Sequence, residues 1–193
     1  MVQEPDFLQE KTKREHKGVK LTPGTIVLIV GIVVFISVLG IQLFQQNQLQ
    51  PVAGERAPNF TITTYDGETI DSRDLRGQIV IVNMWASWCG PCHAEADDFQ
   101  QIHEDYASDG VVLLGVNWLD IDDEAFEFIE FYDLTYPNAP DIGERVYEAF
   151  NVQGMPETFV IGPDGIVRAT FLGGTTYEAL SNVLNEVLAE DAS

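Results

Sequence analysis

The chain is poor in cysteine. Among 193 residues there are two, Cys89 and Cys92. Two cysteines exclude a structural disulfide scaffold and a four-cysteine zinc site. Lysine disappears after Lys20: from residue 51 onward there are five arginines, no lysine and 27 acids. Such a surface repels nucleic acid and anionic lipid headgroups. It keeps a domain soluble and could attract a cationic protein partner. Charge of either sign is missing between Lys20 and Glu55. Internal repeats are absent, and the only low-complexity tract is a short Gln-rich one.

The uncharged stretch is a long apolar run, TIVLIVGIVVFISVLGIQLF, over residues 25–44. About 20 residues at 1.5 Å each span a hydrocarbon core of ~30 Å. The run is longer than the h-region of a cleaved signal peptide, about 7–15 residues, and its exit QQNQLQPVAG offers no small-x-small cleavage site. An uncleaved anchor is therefore expected. Lys11, Lys13, Arg14, Lys17 and Lys20 precede it, and positive residues stay in the cytoplasm. The expected organisation is a cytoplasmic segment 1–24, a transmembrane helix 25–44, a polar tether 45–56 and a domain 57–193 in the periplasm or outside the cell. Disulfides form and persist there.

Within the domain, residues 60–72 (FTITTYDGETIDS) alternate around Asp66-Gly67, as a β-hairpin does. QIVIVNMW (78–85) and VVLLGVNW (111–118) are continuous apolar runs, the mark of buried central strands. Residues 92–107 and 122–132 read as helices, the latter opening on acids where the helix dipole favours them. A short helix is expected over 143–150. Residues 157–161 and 166–171 read as strands joined by Gly-Pro-Asp-Gly. An amphipathic helix over 175–189 puts Tyr177, Leu180, Val183, Leu184, Val187 and Leu188 on one face.

WCGPCH (88–93) carries the chemistry and admits two readings. C-x-x-C is a redox dithiol; C-x-x-C-H is also the attachment signature of a c-type haem. A dithiol needs one cysteine as thiolate and one poised to attack it. At a helix start, Cys89 meets free N–H groups and the positive dipole end, which stabilise a thiolate. Cys92 lies one turn in and can close the ring by attacking a mixed disulfide. Pro91 suits a first helical turn, next to Gly90. Trp85 and Trp88 flank the pair with apolar surface, or serve simply as core. The haem reading rests on His93 and would need a second axial ligand; Met155 is the available methionine, but CGPC follows a buried strand rather than helices. A copper site would need a histidine besides the cysteines; His103 lies on the same helix as Cys92. A peroxidatic cysteine would want Thr-x-x-Cys, and Trp85 and Ala86 occupy that neighbourhood. No cofactor beyond a Cys89–Cys92 disulfide is expected.

VNMWASWCGPC (82–92) resembles the active-site segment of the thioredoxin superfamily. APNFTITTYDGETIDSRDLRG (57–77) is similar to the opening hairpin of its redoxin branch, and NVQGMPETFVIGPDGIV (151–167) to the stretch around that superfamily's cis-proline. Together they span roughly residues 57–190. With the anchor, the match is to the TlpA/ResA/DsbE-like extracytoplasmic thiol–disulfide oxidoreductases. The resemblance implies an α/β thioredoxin fold, a central mixed sheet flanked by helices with an N-terminal hairpin. It implies a cis Met155-Pro156 bond against the dithiol, with the Met155 backbone pairing to a substrate chain. It implies reduction of disulfides in partner proteins such as apocytochrome c during cytochrome c maturation, with electrons from a membrane donor. A metal-binding chaperone and a disulfide-forming oxidase are the alternatives. Three positions depart from the pattern. Asn83 stands where thioredoxin has a buried aspartate, so Glu157 or Glu95 must assist Cys92 if a side chain does. Val112 stands where relatives place an acid, and Asp97 where they place a helix-kinking proline.

Overall fold

The computed structural model describes residues 22–46 and 50–191. The cytoplasmic segment expected over 1–24 lies almost wholly outside them. The chain divides into two units, residues 1–48 and 49–193. The described residues of the first hold one helix, α1 (Pro23–Gln46), with no acid in its first turn and no base in its last. Its large apolar side chains described between Ile26 and Leu39 are exposed. Judged on the described side chains alone, no helix is long and apolar enough to cross a membrane; within α1 they run unbroken only over residues 26–39.

The second unit is the α/β domain. A hairpin of β1 (Thr61–Thr63) and β2 (Thr69–Asp71) precedes β3 (Ile79–Trp85), α2 (Gly90–Tyr106) and β4 (Val111–Asn117). There follow α3 (Asp122–Phe131), β5 (Asn138–Pro140), α4 (Arg145–Ala149), β6 (Glu157–Ile161), β7 (Val167–Leu172) and α5 (Tyr177–Asp191). The main sheet has the order β5-β4-β3-β6-β7. β3, β4 and β5 run parallel; β6 and β7 join antiparallel.

β3 is central and wholly buried, which its unbroken apolar sequence foretells. Its alternation divides the core. Ile79, Ile81 and Trp85 face a cluster with Phe99 and Ile102 of α2, Phe128 of α3 and Leu180 and Leu184 of α5. Val80, Val82 and Met84 face the other cluster, with Phe60, Ile62, Val146 and Phe150. By the same parity Asn83 points toward α2, a polar group placed under the active-site helix. α2 is one uninterrupted helix through Asp97, with no proline there to break it.

Two features differ from the sequence expectation. β5 was not expected: Asn138-Ala139-Pro140 is too short for periodicity and ends in a proline. Tertiary pairing makes it a strand, with Gly115 opposite Asn138 in β4. The tether expected over 45–56 is not free in its second half. Thr170 Oγ1 donates to the Pro51 carbonyl at 3.0 Å. Gly54 N–H donates to Val167 O at 2.9 Å and Val167 N–H to Glu55 O at 2.8 Å. Residues 51–56 thus lie along the edge of β7. Two of these three bonds are backbone pairings, to which composition is blind.

Candidate active site

Cys89 and Cys92 form a disulfide across the start of α2. Cys89 is the N-cap, in extended conformation, and its sulfur accepts the Cys92 N–H at 3.3 Å. Its carbonyl accepts Cys92 N–H at 3.0 Å and His93 N–H at 3.3 Å. One N–H of the helix start, that of Cys92, thus reaches the Cys89 sulfur, where a thiolate would sit. Pro91 lies in the first turn. A Cβ on Gly90 would meet nothing within 4 Å, so that flank is open. Both cysteines are buried, at 4% and 1% exposure, Cys92 the deeper.

The two tryptophans part company. Trp85 is core: it stacks on Phe128 with ring centroids 4.5 Å apart, and its indole N–H donates to Asn138 Oδ1 at 3.0 Å. Trp88 is 55% exposed beside the dithiol, held by its indole N–H on the Leu119 carbonyl at 3.0 Å.

Asp120 fixes the loop that delivers Cys89, and sequence reasoning missed it. Its carboxylate accepts Ser87 N–H and Ser87 Oγ, both at 2.6 Å, and Asn117 Nδ2 at 2.8 Å. Burial pushes this carboxyl up, but the Ser87 and Asn117 bonds win and hold it below the usual range. The position could have signalled itself: Asp120 follows β4 at the carboxyl ends of parallel strands, where α/β sheets place their sites.

His93 spends both ring nitrogens on the protein. Nε2 lies 2.7 Å from the Ser87 carbonyl, so it carries the proton; Nδ1 lies 3.0 Å from the Tyr132 hydroxyl. Neither nitrogen is left over as an axial haem ligand. Among the described residues no group of three or more His, Cys, Asp and Glu is placed to hold a metal ion. His103 packs edge-on against Tyr136.

Behind the dithiol, the two candidate acids lie on opposite faces of the sheet. Glu95 sits one turn past Cys92 on the same face of α2. It does not face solvent: it is 2% exposed. Its carboxylate accepts Asn83 Nδ2 at 3.1 Å and the Thr175 N–H at 2.9 Å. Asn83 also donates to Thr158 Oγ1 at 3.1 Å. Burial pushes the Glu95 pKa up to about 7, against the pull of the Thr175 and Asn83 bonds. Glu157 is equally buried, but strand alternation sends it to the face opposite Thr158 and away from α2. It accepts Gln153 N–H at 2.9 Å, Gly154 N–H at 3.0 Å and Gln50 Nε2 at 2.5 Å. Burial raises its pKa and these bonds oppose the rise. Glu157 therefore organises the loop before Pro156, and Glu95 is the acid on the side of Cys92.

The Met155-Pro156 peptide bond is cis. Pro156 O accepts the Gly173 N–H at 2.9 Å, whereas the Met155 main chain makes no hydrogen bond among the described residues. Val112 is a half-buried residue of β4 packed on the core cluster opposite α2, so it has no part in the site.

A thioredoxin-like domain with a cysteine pair capping its first core helix defines a thiol–disulfide oxidoreductase. The comparisons with known proteins agree. The chain belongs to the AhpC/TSA family, whose profile matches residues 53–170. The thiol–disulfide oxidoreductase ResA of Bacillus anthracis is 31% identical over 134 residues, 69% of this chain and 78% of that one. The Oceanobacillus iheyensis ResA is 30% identical over 189 residues, 94% of this chain and 97% of that one. Among solved structures, StoA from Bacillus subtilis superposes with a TM-score of 0.59 at 28% identity, covering 66% of this chain and 97% of StoA. A thioredoxin-family thiol:disulfide interchange protein from Chlorobium tepidum gives 0.65 at 26% identity, with 73% and 99% covered.

Proposed function

We propose that this oxidoreductase works as a reductant held at the outer face of the cell membrane. In this reading Cys89, as thiolate, attacks one sulfur of a partner protein's disulfide. That S–S bond breaks, a Cys89–partner disulfide forms, and the departing sulfur takes a proton. Cys92 gives its proton to Glu95 and attacks Cys89 Sγ. The second partner sulfur leaves and takes up the proton that Glu95 returns, and the Cys89–Cys92 disulfide remains. Two electrons have passed from the dithiol to the partner, and a membrane dithiol donor restores the pair.

The observation that carries this is Glu95, buried on the face of α2 that bears Cys92, with a pKa near 7. A group titrating near the working pH can both accept and return the proton. The open Met155 main chain and exposed Trp88 suit an extended partner segment. Gly90-Pro91 is the dipeptide of reducing thioredoxins, which favours reduction over oxidation. Apocytochrome c is the proposed partner, by resemblance to the ResA-like proteins. The anchor is supported by α1: 24 helical residues make about 36 Å, against a hydrocarbon core of ~30 Å. The lysine-rich segment before it favours an inward amino terminus.

The test is to reduce the full chain and offer it an apocytochrome c whose haem-binding cysteines are joined. Thiol release that depends on Cys89, from protein recovered with the membrane fraction, is expected. Fully reduced apocytochrome becoming oxidised instead would reverse the direction, and recovery in the soluble fraction would remove the anchor.

A further inference from the structure

An open groove of about 550 Å³ lies between the residues that flank the dithiol and α3. Its α3 side is a stripe at helical spacing: Glu124, Glu127, Phe128 and Phe131 occupy i, i+3, i+4 and i+7. Its other side is Trp88 and His93, the residues that bracket the CGPC turn.

The aromatic surface is continuous. The His93 ring lies 4.8 Å from Phe128, Phe128 4.8 Å from Tyr132, and Phe131 4.8 Å from Tyr132. Its outer end is uncovered, with Phe131 78% exposed. The charge in the groove is of one sign and has no counterpart. The described ion pairs, Arg73–Asp71, Arg168–Asp164 and Arg168–Glu190, all lie elsewhere. The domain has no lysine, and none of its arginines lines the groove.

Exposed aromatic faces beside uncompensated carboxylates suit one chemistry. A cation over a ring is drawn by its quadrupole, guanidinium more often than ammonium, and a carboxylate beside it adds a charge-assisted hydrogen bond. An apolar segment would gain from the rings but leave Glu124 and Glu127 partly desolvated and unpaired, which costs. We propose that this groove binds an arginine or lysine side chain of the partner polypeptide close to its reacting cysteine. The substrate class is thus a disulfide in a locally basic segment. The inference rests on reading the site as a disulfide reductant.

The test uses the reduced full chain and three peptides, each closed by one internal disulfide and differing only in two flanking residues: Arg, Ser or Glu. The expected order of reduction rates is Arg, Ser, Glu, with Arg at least about fivefold faster than Ser. In an E124Q/E127Q double variant the Arg-to-Ser ratio should fall to within about twofold. F131A, at an exposed position that leaves the core intact, should lower it too. E178Q/E186Q removes the same charge from α5, outside the groove, and should keep the ratio. Equal rates for Arg and Ser peptides in the wild type would overturn the proposal. So would an unchanged ratio in E124Q/E127Q, or an equal fall in E178Q/E186Q, which would assign the preference to overall charge. If no peptide is reduced, the reductant reading fails and the groove's role with it; equal rates fail the groove alone.

Discussion

Replacing Glu95 with glutamine tests the buried acid most sharply. In the fold its pKa is raised from 4.5 to about 7. A carboxyl with a folded pKa above its unfolded value binds its proton more tightly when folded. Its contribution is whole below the unfolded value and is lost as pH rises through the folded one. Two and a half pKa units at about 1.4 kcal/mol each amount to roughly 3 kcal/mol. Glutamine has the same shape and no charge. Its carbonyl can keep the Thr175 N–H, and its amide can meet Asn83 after one amide flip. Near pH 5 the two proteins should therefore differ by no more than about 1 kcal/mol. Near pH 8 the wild type should have lost about 3 kcal/mol relative to E95Q. Urea titration of the oxidised full chain by tryptophan fluorescence, at half-unit steps between these limits, reads the difference. Taking the difference cancels the repulsion among the other acids, which both proteins share. A gap that stays constant within about 0.5 kcal/mol across the range would refute the buried, neutral Glu95. The same variant should slow the closing step at pH 7, seen as a longer-lived mixed disulfide, because Cys92 has lost its acceptor.

Two further outcomes are expected. C92S should accumulate a covalent Cys89–partner adduct, visible by mass spectrometry without reductant, and C89S should accumulate none; an adduct in C89S and none in C92S would show that Cys92 is the attacking residue. G115A should lower stability by about 1–3 kcal/mol, since a Cβ there collides with the Asn138 side chain. That side chain is held between Trp85 Nε1 and the Tyr136 carbonyl. An unchanged melting temperature would mean that β5 can move away.

How much could be read in advance follows from what each signal is made of. The unbroken apolar runs of β3 and β4 and the stripe of α5 are periodic, so they were legible. Pro156 was placed by resemblance, with the motif around it. Asn83 was legible as a departure, but its partner was not: only the parity of β3 and β6 shows that Asn83, Thr158 and Glu95 share a face and Glu157 does not. Glu95 was named beside Glu157 as a candidate acid, but acids on a helix usually face solvent, and nothing in the sequence said which of the two is buried next to Cys92. One of Glu95's hydrogen-bond partners, Thr175, lies 80 positions away. The Ser87–Asp120 clamp, β5 and the packing of residues 51–56 on β7 are likewise long-range pairings, which no window along the chain contains.

The central claim, a reversible dithiol that donates electrons, meets its most direct test in the reduction potential of the Cys89–Cys92 couple. It is measured in the full chain by equilibration with a thiol buffer. The account predicts a two-electron couple near that of thioredoxin, about -270 mV. A value near about -120 mV would make the protein an oxidant and contradict it.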